Sequence, residues 1–207
     1  MNSLEAKLDW LVIAYLSKVE DMEEVKALLS GEISKDDYIR FLKTFYIIEY
    51  ISQKAVNLAS KMTKEENPYL SKRFDVCAKG ELGHAEIALE DLKGLGVGGV
   101  DLSEASIETE YDRLLQECAH KFPLGILGHS YLFENVSGAM FPKHHPLNFP
   151  SKFVEIHAKE DPGHSLAIKR TVRNIENNLN DDEQERIIVF AKKSGEFLLN
   201  LFHSMKG

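Results

Sequence analysis

The chain lacks most of what secreted, membrane-spanning and nucleic-acid-binding proteins need. Only two cysteines, Cys77 and Cys118, stand among its 207 residues. So few argue against a disulfide framework and suit a reducing cytoplasm. Basic residues are in deficit, 25 Lys and Arg against 33 Asp and Glu, for a net charge of −8. An acidic surface repels phosphates and anionic lipids, so neither nucleic acid nor a membrane is an expected partner. Long apolar runs are missing: WLVIAYL (10–16) is far too short to cross a bilayer. MNSLEAKLDW carries acids near its start and no basic cluster, so no signal peptide is expected there. No proline precedes Pro68. The glycine-rich GLGVGGVDLS (94–103) has no Lys-Ser/Thr after it, so it is a connection and not a phosphate loop.

What is present is helical pattern. Hydrophobic residues are 43% and charged residues 28%, the balance of an ordinary globular protein, and the length fits one domain over 1–207. Leu4, Leu8, Leu11, Tyr15 and Leu16 recur every three or four residues. DMEEVKALL stops at Ser30-Gly31. Ser34 and Asp37 resemble a capping box opening a long helix whose core face is Tyr38, Phe41, Leu42, Phe45, Ile48, Ile51, Ala55 and Leu58. Asn67-Pro68 starts a third helix that should run to Lys93 and stop at Gly94. Further helices are expected near 104–119, from Pro123 to Phe141, over 151–177, and over 181–205 behind an Asn180–Glu183 capping box. FPKHHPLNFP (141–150) is a connection, and no segment reads as a strand. The fold class is therefore all-α, a bundle of about seven helices.

The chemistry concentrates in IHAKEDPGHSLAI (156–168). At about 100° per residue His157, Asp161 and His164 share one helix face, with Glu160 beside it toward solvent or a supporting role. Glu81 and His84 form a Glu-x-x-His pair that one helix face would present. Glu134 sits in the apolar SYLFENVSGAMF, with Leu127, Tyr131 and Met140 on its side. Buried carboxylates are costly unless paired or metal-bound, and two divalent ions would offset Glu81, Glu134 and Asp161 together. Three imidazoles with three carboxylates suit iron or manganese better than zinc, calcium or haem. Pro162 and Gly163 should kink or bulge this helix between Asp161 and His164, which would make His164 the less firmly placed ligand and its metal the more labile.

Glu81 and His84, then Glu134, then His157-x-x-x-Asp161-x-x-His164 resemble the ligand pattern of the haem-oxygenase-like diiron oxidases and oxygenases. ALLSGEISKDDYIRFLKTFYIIEY (27–50) is similar to the opening of the broader haem-oxygenase and TenA/PqqC-like superfamily. The resemblance covers most of the chain. The Glu-x-x-His form resembles the branch that makes terminal alkenes from fatty acids, but that spacing does not carry a substrate with it. The resemblance implies a haem-oxygenase-like bundle holding two Fe(II) ions, with manganese as the alternative. It implies O2-dependent chemistry on a small acid or amine, with an electron donor as further partner, and it is compatible with a homodimer. Tyr131 is then a candidate donor behind the ligands.

Competing readings use other residues. A haem oxygenase needs an axial histidine near the N-terminus, and the first histidine here is His84, so no haem is expected. A TenA-like hydrolase would use a cysteine nucleophile such as Cys118, which reads more simply as a small buried hydrophobe, as does Cys77. A ferritin-like bundle would use Glu117-x-x-His120, but its ligand order cannot be threaded through these helices. His120 reads as a helix C-terminus and His203 as a last turn. His129 should face away from Glu134. His144 and His145 should be exposed, and Arg170 and Arg173 solvated. The remaining alternative is a non-catalytic interaction protein with a degenerate metal site.

Overall fold

The computed structural model describes residues 3–98, 100 and 106–204, with backbone alone for 106–109. In chain order the helices are α1 (Leu4–Asp21), α2 (Glu23–Ser30), α3 (Lys35–Met62), α4 (Pro68–Gly80), α5 (His84–Gly94), α6 (Ser106–Lys121), α7 (Gly125–Met140), α8 (Lys152–Ile175) and α9 (Asp181–Ser204). Short 3-10 turns follow α7 and α8, and no strand occurs among the described residues. The connection expected over 94–103 lies partly outside them.

The helix starts follow from side-chain caps. Ser34 accepts from the Asp37 amide, and Asn67 accepts from the Leu70 amide with Pro68 at the first helical position. Asn180 and Glu183 cap α9 reciprocally, each amide donating to the other side chain at 2.9 Å. One expectation fails here. The helix foreseen from Pro68 to Lys93 is two helices, separated at Glu81–Gly83. Gly83 sits at φ +102, a left-handed conformation that a residue with a side chain rarely adopts, and the turn it allows re-aims the chain.

α3 packs against α4, α5 and α6, while α7 packs against α1, α8 and α9. These two groups face each other across a seam. Phe41, Phe45, Phe141 and Phe153 fill part of it, with ring centroids 4.4 Å apart for Phe41–Phe45 and 5.8 Å for Phe45–Phe153. Each such buried ring stabilises by about 1.5–3 kcal/mol relative to exposure. The polar side chains considered next lie in the same seam.

α8 gives the second correction. It runs as α-helix without a break from Lys152 to Ile175, with Pro162 inside it, so the bulge expected before His164 is absent. The reason lies on the neighbouring helix. A Cβ on Gly138 would lie 2.9 Å from the Asp161 carbonyl oxygen and 3.3 Å from the Pro162 nitrogen. Glycine at 138 therefore lets α7 close onto the α8 backbone at the proline, and tertiary packing keeps the helix unbroken through a residue that alone would disturb it.

Candidate metal centre

Seven side chains from both halves of the bundle converge. From the α3 side come Glu49 on α3, Glu81 in the turn after α4, and His84 at the start of α5. From the other side come Glu134 on α7 and His157, Asp161 and His164 on α8. All six residues foreseen from the sequence are in the cluster. Glu49 was not foreseen.

They divide into two donor sets. In the first, Glu49, Glu81, His84 and His157 each offer a ligand atom within 4.8 Å of the others. His157 Nε2 is 3.4 Å from Glu49 Oε1, and His84 Nδ1 is 2.8 Å from Glu81 Oε2. In the second, Glu134, Asp161 and His164 meet the same distance limit. His164 Nδ1 lies 3.4 Å from Glu134 Oε2 and 3.8 Å from Asp161 Oδ1. Glu81 belongs to both: its Oε2 faces His84, and its Oε1 is 3.2 Å from His164 Nδ1. The break after α4 makes this bridge. On a continuous helix Glu81 and His84 would lie on one face; here a turn swings the carboxylate between the sets.

The donor atoms approach without pairing. His84 Nδ1, His157 Nε2, His164 Nδ1 and Asp161 Oδ2 are all buried, and none has a hydrogen-bond partner in line. The imidazole–carboxylate distances are short, yet the ring N–H directions miss the oxygens. Such atoms are costly unless something else satisfies them. Unpartnered donor atoms gathered this closely are what a cation needs. Four carboxylates, Glu49, Glu81, Glu134 and Asp161, balance two divalent ions, and the mixed N/O donors fit iron or manganese. The residues present therefore fit a two-metal centre. Supporting contacts fix the donors. The His157 Nδ1–H donates to the Phe153 carbonyl at 2.8 Å, which leaves Nε2 free for a metal. Glu160, expected toward solvent or in a supporting role, is half-exposed and stands 3.5 Å from His84 Nε2.

Without a cation the cluster holds protons. Burial acts to lower the His157 imidazole, but Glu49 beside it outweighs burial and lifts it to about 9. His84 is raised in the same way by Glu81 against the effect of burial. The Glu134 carboxylate and then that of Glu81, both close beside it, carry His164 up to about 11. Burial raises Asp161 to about 6, and burial likewise pushes Glu134 up. Glu81 goes the other way: burial alone would raise it, but His164 and His84 hold it below the usual carboxylate range.

Other foreseen residues fall elsewhere. Tyr131 is no part of the centre: its hydroxyl donates to Asp9 Oδ1 at 2.8 Å. His129 was expected to face away from Glu134. It is buried and lines a cavity shared with Glu49, Glu134 and Asp161. Cys77 also lies in the site, its sulfur within 4.8 Å of ligand atoms of Glu81 and Glu134. Cys118 is the buried hydrophobe expected, its thiol directed at the Phe122 carbonyl and raised to about 12 by burial. Arg173 is exposed and pairs with Glu5. Arg170, His120, His145 and His203 are exposed, and His144 is half-buried.

No family model matches the chain, and no curated protein matches it. Solved structures do. A TenA homologue from Pyrococcus furiosus superposes with a TM-score of 0.82 at 14% identity, over 98% of this chain and 99% of that one. A domain of unknown function with a haem-oxygenase-like fold from Shewanella denitrificans gives 0.76 at 17% identity, over 97% and 90%. Haem oxygenase-1 from the cyanobacterium Synechocystis, in complex with haem, gives 0.67 at 18% identity, over 100% and 93%. The chain has the all-α fold of the haem-oxygenase and TenA-like superfamily. At these identities the likeness speaks for the fold alone. Among the described residues no helix is long and apolar enough to cross a membrane.

Proposed function

We propose that the protein is a non-haem diiron enzyme that uses O2 to oxidise a small acid or amine. One observation carries this reading: Glu81 presents its two oxygens to two separate donor sets, whose buried imidazole nitrogens lack partners. Glu49, His84 and His157 would hold one iron, and Glu134, Asp161 and His164 the other, with Glu81 between them. When bound, the iron pair supplies O2 binding and the electrons for its reduction. The chain's own residues do the rest. Phe45, Phe141 and Phe153 keep water from the His157 side. The Phe153 carbonyl holds the His157 tautomer. On metal binding the raised imidazoles give up their protons, so affinity should rise with pH. The two free cysteines suit a reducing compartment, the cytoplasm.

The test is O2 uptake. Iron-free protein is loaded anaerobically with Fe(II) and exposed to O2 at an electrode. Consumption that scales with bound iron and falls to background in His157→Gln supports the reading. Loaded protein that consumes no more O2 than free Fe(II) contradicts it.

A TenA-like hydrolase is the second reading, favoured by the TenA homologues and by Cys77 beside Glu81 and Glu134. Burial, then Glu134 and Glu81, raise the Cys77 thiol well above its ordinary value, which keeps it protonated and weakly nucleophilic. That reading requires Cys77→Ser to abolish turnover without changing metal content. A non-catalytic interaction protein should bind no stoichiometric iron.

A further inference from the structure

A cavity of about 150 Å3 opens beside the candidate centre and runs away from it between α4 and α8. Two contacts define its direction. At the metal end a Cβ on Gly80 would lie 3.8 Å from His164 Nε2. At the other end Arg73 Nε donates to Thr171 Oγ1 at 3.1 Å. Seven residues separate the two contacts on each helix, so the cleft is about 10 Å long at 1.5 Å per residue. Its walls between those ends are apolar, with Val76 on α4, Ile168 on α8 and Leu127 on α7. Glu81 and Glu134 line the metal end.

Arg73 is unusual in this molecule. Of the other cations of α4 and α8, Lys79 pairs with Asp75, Lys152 with Glu90, Lys169 with Asp9 and Arg173 with Glu5, while Lys72, Lys159 and Arg170 are exposed to solvent; Arg73 is half-buried. Among the described residues no carboxylate pairs with Arg73. Its Nε is held by Thr171, whose own hydroxyl donates to the Ala167 carbonyl. That leaves the two terminal nitrogens as an oriented fork at the mouth of an apolar cleft. A planar guanidinium fork matches a carboxylate in two parallel hydrogen bonds.

We infer that this cleft binds an amphiphilic carboxylate with its acid group on Arg73 and its apolar tail pointing to the candidate centre. An apolar cavity of about this size accepts a body of about six carbons. The carboxylates at one end and the lone guanidinium at the other fix the orientation. The substrate would present to the irons a C–H bond at the end of the molecule remote from its acid group. This regiochemistry rests on the diiron reading; the binding site does not.

The probe is octanoate, titrated by calorimetry into iron-free protein beside 1-octanol and octylamine. Octanoate should bind saturably at one site, about tenfold or more tighter than either, the difference expected of a charge-assisted pair. Arg73→Met should remove that advantage and leave 1-octanol binding unchanged. Thr171→Val, which frees the guanidinium but keeps its charge, should cost octanoate a few-fold. Ile168→Trp, which fills the cleft, should abolish binding of all three. Octanoate binding no tighter than 1-octanol, or unaffected by Arg73→Met, overturns the inference. Iron content is measured in parallel. Two irons per chain with no octanoate site would sink this inference alone, and an intact octanoate site without iron would sink only the diiron reading.

Discussion

Two histidines in this seam are buried to nearly the same degree and behave oppositely. His129 is 2% exposed and His157 is 5% exposed. His129 lies between two hydroxyls, with Nδ1 2.8 Å from Tyr111 Oη and Nε2 3.2 Å from Ser52 Oγ. Burial drives it down to about 3, so it is a neutral ring with both nitrogens satisfied. His157 has one nitrogen on a backbone carbonyl and the other facing Glu49 without an aligned bond, and it rises to about 9. Burial alone therefore does not mark a functional histidine. The mark is a nitrogen left without a partner among carboxylates, the environment of a cation ligand and not of a ring held between two hydroxyls.

The largest test of that contrast is removal of the shared ligand. Glu81→Ala should weaken binding of both irons by at least about a hundredfold, more than loss of a supporting contact costs. His129→Gln should leave two irons per chain, by elemental analysis. Loss of iron in His129→Gln would erase the distinction between the two regions.

Packing sharpens the comparison next. Gly138→Ala places a methyl against the Asp161 carbonyl and Pro162, so it should cost about 1–3 kcal/mol in denaturant unfolding and loosen the second donor set. The His129 side, on a different stretch of α7, should keep its Tyr111 hydrogen bond. Full stability in this variant would mean the α7–α8 approach is looser than described.

pH separates the regions by sign. The folded value of His157, about 9, lies above the ordinary imidazole value of about 6.5. Its contribution to iron-free protein is complete below the unfolded value and lost as pH rises toward 9. Asp161, raised to about 6, adds to that loss as its carboxyl ionises. His129 lies below its unfolded value, so its contribution is complete at neutral pH and lost as pH falls toward about 3. Melting curves should show His157→Gln flattening the alkaline limb and His129→Gln the acid limb. The reverse assignment would contradict the electrostatics.

Smaller effects follow. The His164 side chain is 28% exposed, against 7% for His157, so the second iron should leave first in a chelator chase. Equal release rates would show that exposure does not control loss. Tyr111→Phe removes one partner of His129 and should cost about 1 kcal/mol with iron content unchanged.

Much of this was legible in the sequence because helices announce themselves by period and cap. Ser34, Asn67 and Asn180 stand where the structure uses them as caps. The bundle and five members of the cluster followed from spacing, and Glu134 from its apolar neighbourhood. Four things did not. Glu49 hid inside a hydrophobic helix, although it continues the stripe through Phe45, Ser52 and Val56, where an isolated carboxylate on a core face was the available signal. The break at Glu81–Gly83 hid because Gly83 alone does not say whether a helix tolerates it or ends. His129 was expected to face away from Glu134 because their angles on the helix differ, but α7 is enclosed by α1, α8 and α9, so more than one of its faces looks inward, and both residues line one cavity. The unbroken passage of α8 through Pro162 depends on Gly138, a contact between distant residues that local rules cannot carry.

The most direct measurement is anomalous diffraction at the iron edge from crystals loaded anaerobically with Fe(II). The account predicts two peaks per chain, one among Glu49, His84 and His157 and one among Glu134, Asp161 and His164, with Glu81 between them. No peak in this seam, or a single peak that leaves one donor set unused, would contradict it.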